Sequence, residues 1–201
     1  MAISERSRHS VTRLTGGRMT QVLTRHIVLI GMMGAGKTAI GSELARRLRV
    51  PFTDSDAEIE AAAAMSISEI FARDGEAFFR AREAQVLSRL LAGAPGVVST
   101  GGGAWMRPEN RQIVAARGLS VWLNCSPETL WARVRQRPTR PLLQTADPKG
   151  TLLRLLAERS PVYALADLEF VSRAGDTIEA TATRLIAELT AAHPTLTQEK
   201  P

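Results

Sequence analysis

Cysteine occurs once in the 201 residues, at Cys125, and aromatic residues make up only 4% of the chain. A single thiol excludes an internal disulfide and any metal site built from a cysteine cluster, and it fits a reducing, cytoplasmic compartment. Cys125 itself reads as a small buried hydrophobe at the end of a strand. Long apolar runs are missing too: no stretch approaches the ~18 uninterrupted apolar residues of a membrane span. No membrane association is expected. Acidic residues are scarce near the start, where residues 1–30 hold Arg6, Arg8, Arg13, Arg18 and Arg25 against Glu5 alone. Most of the formal charge of +6 therefore sits in a tail. No basic stripe interleaved with aromatics occurs, and no nucleic acid partner is expected.

What remains is enough for one ordinary domain, with 44% apolar residues to fill its core. Residues 1–24 are polar, basic and without apolar periodicity, and read as a disordered extension. A targeting peptide would carry a clearer amphipathic face, and Met19 offers an alternative start. The domain is expected over 25–192, with 193–201 a frayed tail.

The most informative stretch runs from Ile27 to Thr38. Ile27, Val28, Leu29 and Ile30 read as a strand buried on both faces. They lead straight into Gly31-Met-Met-Gly34-Ala35-Gly36-Lys37-Thr38, which matches G-x-x-x-x-G-K-[ST] in the strand-before, helix-after setting the motif needs. Glycines admit phosphate oxygens close to the backbone. The loop N–H groups and the following helix N-terminus point positive dipole ends at them. Lys37 supplies a cation for the β- and γ-phosphates, and the Thr38 hydroxyl suits Mg²⁺. The chain is expected to bind a nucleoside triphosphate.

Downstream, the pattern predicts a helix to Leu48, stopped by Pro51, and a short strand Phe52-Thr53-Asp54. Residues 57–92 read as helical in pieces, with Ser66-Ile-Ser-Glu69 as a capping box and Gly75 as a break. That is more helix than a simple crossover needs and suggests an inserted substrate-binding region at about 55–92. Strands follow at 96–100, 119–123 and 168–171, with helices at 107–117, 127–135, 151–165 and 176–192. A Pro-broken, charged segment at about 136–150 is long enough for a lid. Apolar strands alternating with helices imply an α/β fold with a parallel sheet covered on both faces. Ligands in such sheets lie at the carboxyl ends of the strands, so the phosphate loop, Asp54/Asp56 and Gly101-Gly102-Gly103 should share one rim.

Taken singly, these residues leave alternatives open. Asp54 and Asp56 suit a metal's water shell and a substrate hydroxyl, or equally an N-cap and first-turn acid. Three consecutive glycines suggest backbone approaching a ligand, or a loose turn. Arg80 is placed for an i,i+4 pair with Glu76, and Arg159 for a helix C-terminus.

Together they form a pattern. Asp54-Ser-Asp56-Ala-Glu-Ile-Glu60, Ser66-Ile-Ser-Glu-Ile-Phe71, Gly75-Glu76 with Phe79-Arg80 and Glu83, Thr100-Gly-Gly-Gly103, Arg140-Pro-Leu-Leu143 and Arg159-Ser-Pro-Val-Tyr163 closely resemble the shikimate kinase family over residues 26–172. The resemblance implies a P-loop kinase fold with a five-stranded parallel sheet, a helical substrate region and a mobile lid. It implies transfer of the ATP γ-phosphoryl to the 3-hydroxyl of shikimate, on the route to chorismate and the aromatic amino acids. Lys37, Asp56 and Arg140 then match catalytic positions, with Asp56 on the substrate hydroxyls and Arg140 closing over the phosphates. Gly34, Ala35, Gly36, Lys37, Thr38 and Ala39 match the ATP loop. Arg133 fits an arginine against adenine, with Arg135 and Arg137 as neighbouring alternatives. Arg80 and Arg159 match the grip on the shikimate carboxylate, Gly102 and Gly103 backbone contacts to it, and Thr38 and Asp54 the Mg²⁺ side. A monomer is expected. Competing readings are another small-molecule kinase, such as a gluconokinase or nucleoside monophosphate kinase, and a non-catalytic regulatory protein on the same fold.

Overall fold

The structure, a computed structural model, describes residues 20–135 and 145–200. In chain order its elements are β1 (Thr20–Leu23), β2 (His26–Ile30), α1 (Lys37–Leu48), β3 (Phe52–Asp54), α2 (Ser55–Ala63), α3 (Ile67–Leu91), β4 (Val97–Ser99), α4 (Pro108–Arg117), β5 (Gly118–Asn124), α5 (Pro127–Val134), α6 (Pro148–Tyr163), β6 (Leu168–Val171), α7 (Ile178–Ala192) and β7 (Thr197–Lys200). Five strands form one parallel sheet in the order β3-β4-β2-β5-β6. The expected α/β P-loop kinase architecture is therefore present. At its centre Ile27 pairs with Val97 on one side and Leu119 on the other.

All five residues of β2 are buried, as a strand covered on both faces must be. Each large aliphatic side chain removed from water there contributes about 1.5–3 kcal/mol. β2 also sits where the connections part: the chain leaves it for β3 on one side, while β5 and β6 lie on the other. That is the crevice where open α/β sheets bind ligands.

The helical surplus between β3 and β4 has its own small core of Ile59, Ile70, Phe79 and Val86. Its joints follow the local chemistry. The Ser66 side chain accepts from the Glu69 N–H, and the Ser66 N–H donates to Glu69 Oε2 at 2.8 Å, completing the capping box. Gly75 breaks α3 with φ 80°, ψ 173°, a conformation that glycine reaches without strain.

Three boundaries differ from expectation. First, α2 opens at Ser55, so Asp56 lies in a helical first turn with Asp54 as its N-cap rather than beside it on a strand end. Second, α6 opens at Pro148, capped by the Asp147 side chain, which shortens the expected 136–150 lid at its far end. Residues 136–144 of that segment, Arg140 among them, lie outside the described residues. Third, residues 20–24 are not part of a disordered extension and 193–200 not a frayed tail. β1 pairs antiparallel with β7, Leu23 opposite Thr197. Leu23 and Leu196 are buried, and Thr24 Oγ1 donates to Thr195 O at 2.8 Å. Two four-residue segments more than 170 residues apart satisfy each other's backbone, a pairing that local periodicity cannot register. Residues 1–19 and 201 lie outside the described residues. Among the described residues no helix is long and apolar enough to cross a membrane.

Candidate active site

The phosphate loop joins the buried end of β2 to α1. Gly36 caps α1 in the left-handed region at φ 95°, which turns the first N–H groups of the helix toward the loop. Lys37 Nζ donates to Gly31 O at 2.9 Å and Met32 O at 3.1 Å, so the ammonium lies back across the loop. Helix α5 braces it from outside: a Cβ on Gly34 would lie 2.7 Å from Val134 Cγ1. Arg133 Nη1 donates to Gly34 O at 3.1 Å and Ala35 O at 3.3 Å. Ala35 is buried, with its N–H on Met32 O at 3.2 Å. Cys125 is buried beneath it, its Sγ donating to Ala35 O at 3.6 Å.

The aspartates take separate places. Asp54 Oδ2 accepts from Thr38 Oγ1 at 2.9 Å, and Asp54 Oδ1 accepts from the Asp56 N–H at 3.1 Å. Asp54 is thus both N-cap and partner of the phosphate-loop threonine; the two readings are compatible. Asp56 Oδ1 is buried and accepts no hydrogen bond among the described residues. Burial, reinforced by Asp54, holds its carboxyl above the usual aspartate range, while Lys37 and Arg80 pull the other way. It is a carboxylate with an open acceptor and a raised proton affinity.

Gly101-Gly102-Gly103 is where the charges meet. A Cβ on Gly101 would lie 2.6 Å from Asp56 Oδ1, one on Gly102 3.5 Å from Arg159 Nη1, and one on Gly103 2.8 Å from Arg80 Nη2. Each glycine has one charged side chain against it, brought from α2, α6 and α3 in turn. The turn is close-packed, and at Gly101 and Gly103 a methyl would fit only if the facing charged side chain moved aside. Arg80 makes the expected pair with Glu76 at 3.1 Å, and also one with Glu83 at 3.0 Å. The Glu83 side chain is only 2% exposed; burial raises its proton affinity and Arg80 opposes that. Glu83 therefore fixes the guanidinium from below. Arg159 Nη1 donates to Gly102 O at 3.3 Å rather than serving its own helix end.

A cavity of about 720 Å³ links these groups, lined by Gly34, Gly36, Lys37, Thr38, Ala39, Asp54, Asp56, Gly101, Gly102 and Arg133. Arg80, Gly103 and Arg159 are not in its wall and lie around the glycine turn. Among the lining residues not anticipated are Asp176, Ile178 and Thr181, from the β6–α7 connection and the start of α7, an element to which no site residue had been assigned. The available signal was position alone, since that connection follows a strand's carboxyl end. Arg184 secures it, donating to Val171 O at 3.0 Å and Asp176 at 3.3 Å with its guanidinium over the Phe170 ring. Arg135 is exposed at the end of α5, and Arg137 and Arg140 lie outside the described residues.

A phosphate loop, a buried carboxylate and two arginines around a glycine turn admit several small-molecule kinases, and sequence comparison narrows the choice. The shikimate kinase family profile matches residues 33–190. This chain belongs to the shikimate kinase family. It is similar to a shikimate kinase of Ruegeria pomeroyi, 53% identical over 187 residues that cover 93% of this chain and 95% of that protein. A shikimate kinase of Cereibacter sphaeroides is 53% identical over 185 residues, 92% of either chain. Among solved structures, shikimate kinase from Acinetobacter baumannii in complex with shikimate superposes with a TM-score of 0.79 at 35% identity, covering 84% of this chain and 94% of that one. The chain is accordingly a kinase, a phosphotransferase of the P-loop class.

Proposed function

We propose that this chain transfers the γ-phosphoryl group of ATP to the 3-hydroxyl of shikimate, giving shikimate 3-phosphate for chorismate and aromatic amino acid synthesis. The observation that carries this reading is the glycine turn, with one carboxylate and two guanidinium groups against its three residues beside a phosphate loop. A small carboxylated polyol calls for that charge pattern: guanidinium at the carboxylate end, a carboxylate at the hydroxyls.

In this reading the phosphate loop, Gly34 to Ala39, cradles the ATP phosphates, and Lys37 leaves the carbonyls of Gly31 and Met32 to meet them. Arg80 and Arg159, with the backbone of Gly102 and Gly103, hold the shikimate carboxylate. Asp56 accepts the proton of the attacking hydroxyl, for which its open oxygen and raised proton affinity suit it. Arg140 is assigned to the charge of the transferring group, and Arg133 to adenine. Asp176, Ile178 and Thr181 complete the nucleotide side of the cavity.

Mg²⁺ fits the donors present. Thr38 Oγ1 and the Asp54 carboxylate are hard oxygens 2.9 Å apart, suited to a cation that takes one or two protein groups plus phosphate oxygens. Among the described residues no cluster of three or more His, Cys, Asp or Glu offers an all-protein cage. Thr38 and Asp54 would hold Mg²⁺, which would supply positive charge to offset the negative charge that develops on the transferring phosphates. We further take the helical region of about 55–92 as the acceptor site, the part of 136–150 that precedes α6 as a lid, and the working form as a cytoplasmic monomer.

The test is a coupled ADP-release assay with MgATP, offering shikimate, gluconate and nucleoside monophosphates in parallel. Turnover with shikimate alone is expected. Turnover with another acceptor would mean a repurposed pocket, and ATP binding with no turnover would favour a regulatory role.

A further inference from the structure

Tyr163 is the only tyrosine of the chain and is fully buried, yet nothing above gives it a task. Its surroundings do. The hydroxyl donates to Gly102 O at 2.5 Å and lies 3.8 Å from Met32 Sδ of the phosphate loop. Its ring stacks on Trp122 of β5 with centroids 5.9 Å apart. Arg159, one helical turn earlier on α6, donates through Nη1 to the same Gly102 O at 3.3 Å. One backbone carbonyl therefore receives two donors from one helix. Burial raises the phenol's proton affinity, against Arg159, so the hydroxyl remains a donor.

We propose that Tyr163 is a positioning residue for acceptor binding: by pinning Gly102 O toward α6 it orients the Gly102–Gly103 peptide and Arg159 as one unit. Among the described residues there is no cis peptide bond, and in a trans peptide the N–H points opposite to the C=O. Drawing the carbonyl to α6 therefore turns the Gly103 N–H away from α6. That N–H donates to no group among the described residues, which leaves it available for an anionic oxygen. Glycines on both sides of a peptide allow it to rotate at little steric cost, so an external restraint is needed to hold it. The stacked, buried ring supplies a rigid mount for that restraint. Because Arg159 Nη1 donates to the same carbonyl, fixing that carbonyl also fixes where the guanidinium can dock. The inference rests on the proposed reading in which Arg159 and the glycine turn receive the shikimate carboxylate.

The test compares the full-length chain with Tyr163→Phe, which keeps the ring and its packing and removes only the hydroxyl. The KM for shikimate is expected to rise about tenfold, with the KM for MgATP and kcat within twofold of wild type. An Arg159→Lys change combined with Tyr163→Phe should raise the KM by less than the product of the two single effects, because both act on one carbonyl. A purely structural role would move both KM values together, through the Met32 contact, and would overturn the proposal. So would an unchanged shikimate KM. A second readout needs no acceptor: ¹⁵N relaxation of the ligand-free protein should show the Gly102 and Gly103 amides more mobile in Tyr163→Phe, and those of Gly34 and Gly36 unchanged. Equal mobility at Gly102 and Gly103 in both proteins would refute the restraint. Absence of shikimate turnover in the wild type would instead refute the functional reading, and the relaxation result would still decide the restraint.

Discussion

Replacing Gly103 by alanine separates stability from function more cleanly than removing a charge. Gly103 has φ −94°, ψ −16°, right-handed helical values that alanine adopts without strain. A Gly→Ala change at such a position stabilises by about 0.4–1 kcal/mol through the unfolded chain. The new Cβ would stand 2.8 Å from Arg80 Nη2, 2.9 Å from Nη1 and 3.2 Å from Cζ. Comfortable non-bonded separations begin at about 3.5 Å, so the guanidinium must retreat by roughly 0.7 Å. It is the far end of a long side chain, and the retreat costs little folding energy, roughly what the backbone effect returns. Its position, however, is set by Glu83 at 3.0 Å and Glu76 at 3.1 Å. A misplacement of about 1 Å at a substrate clamp costs on the order of 10²-fold. Gly103→Ala should therefore lose about 10- to 100-fold in kcat/KM for shikimate, mostly in KM. The melting temperature should change by only a few degrees and the KM for MgATP should stay put. Coupled ADP release at varied shikimate, with thermal melts alongside, makes the measurement. A kcat/KM within threefold of wild type in a folded variant would refute the argument that Arg80 must be held where it is.

Four further outcomes are expected. Asp56→Asn should retain MgATP binding by calorimetry but lose about 10²- to 10⁴-fold in kcat, the usual worth of a positioned base; wild-type turnover would remove its assigned role. In the wild type, kcat/KM for shikimate should fall as pH drops through the Asp56 pKa, which burial holds above the usual aspartate range, because only the ionised form accepts the proton; a pH–rate profile checks this. His26 Nδ1 accepts from the Gly96 N–H at 3.2 Å, and burial lowers the His26 pKa below 6.5. Its folded-state preference for the neutral ring is fully expressed above that value and is lost as acid protonates the unfolded chain first, so urea titrations should show less pH dependence below pH 6.5 in His26→Gln than in wild type. Leu196→Ala should cost about 2–3 kcal/mol of stability, as buried leucine truncations do, with both KM values unchanged, because the terminal strand pair is remote from the cavity; altered kinetics would contradict that separation.

Much of the site was legible because its parts are local. The phosphate loop needs a strand, glycines, a lysine and a threonine in immediate succession, and all of that is chain order. The capping box at Ser66 and the break at Gly75 were equally local, decided within one helical turn. Asp54 shows the limit. Its alternatives, cap or metal-side acid, could not be separated from sequence, and the structure shows one carboxylate oxygen on the Asp56 N–H and the other on Thr38 Oγ1. The strand pair of the termini left no local trace, because Thr20–Leu23 and Thr197–Lys200 are four-residue segments too short to show a period, and they become strands only by finding each other.

The sequence by itself determined the fold class, the nucleotide loop and the set of chemical groups, since each follows from neighbours along the chain or from period and spacing. Only the tertiary structure decided which charge meets which glycine. Asp56, Arg159 and Arg80 arrive at Gly101, Gly102 and Gly103 on three different helices, and their order there is not their order in the chain. Close approach depends on the packing of whole elements, as do the burial of Glu83 and the shared carbonyl of Arg159 and Tyr163. Packing sums many weak, long-range contacts that no short window of sequence contains.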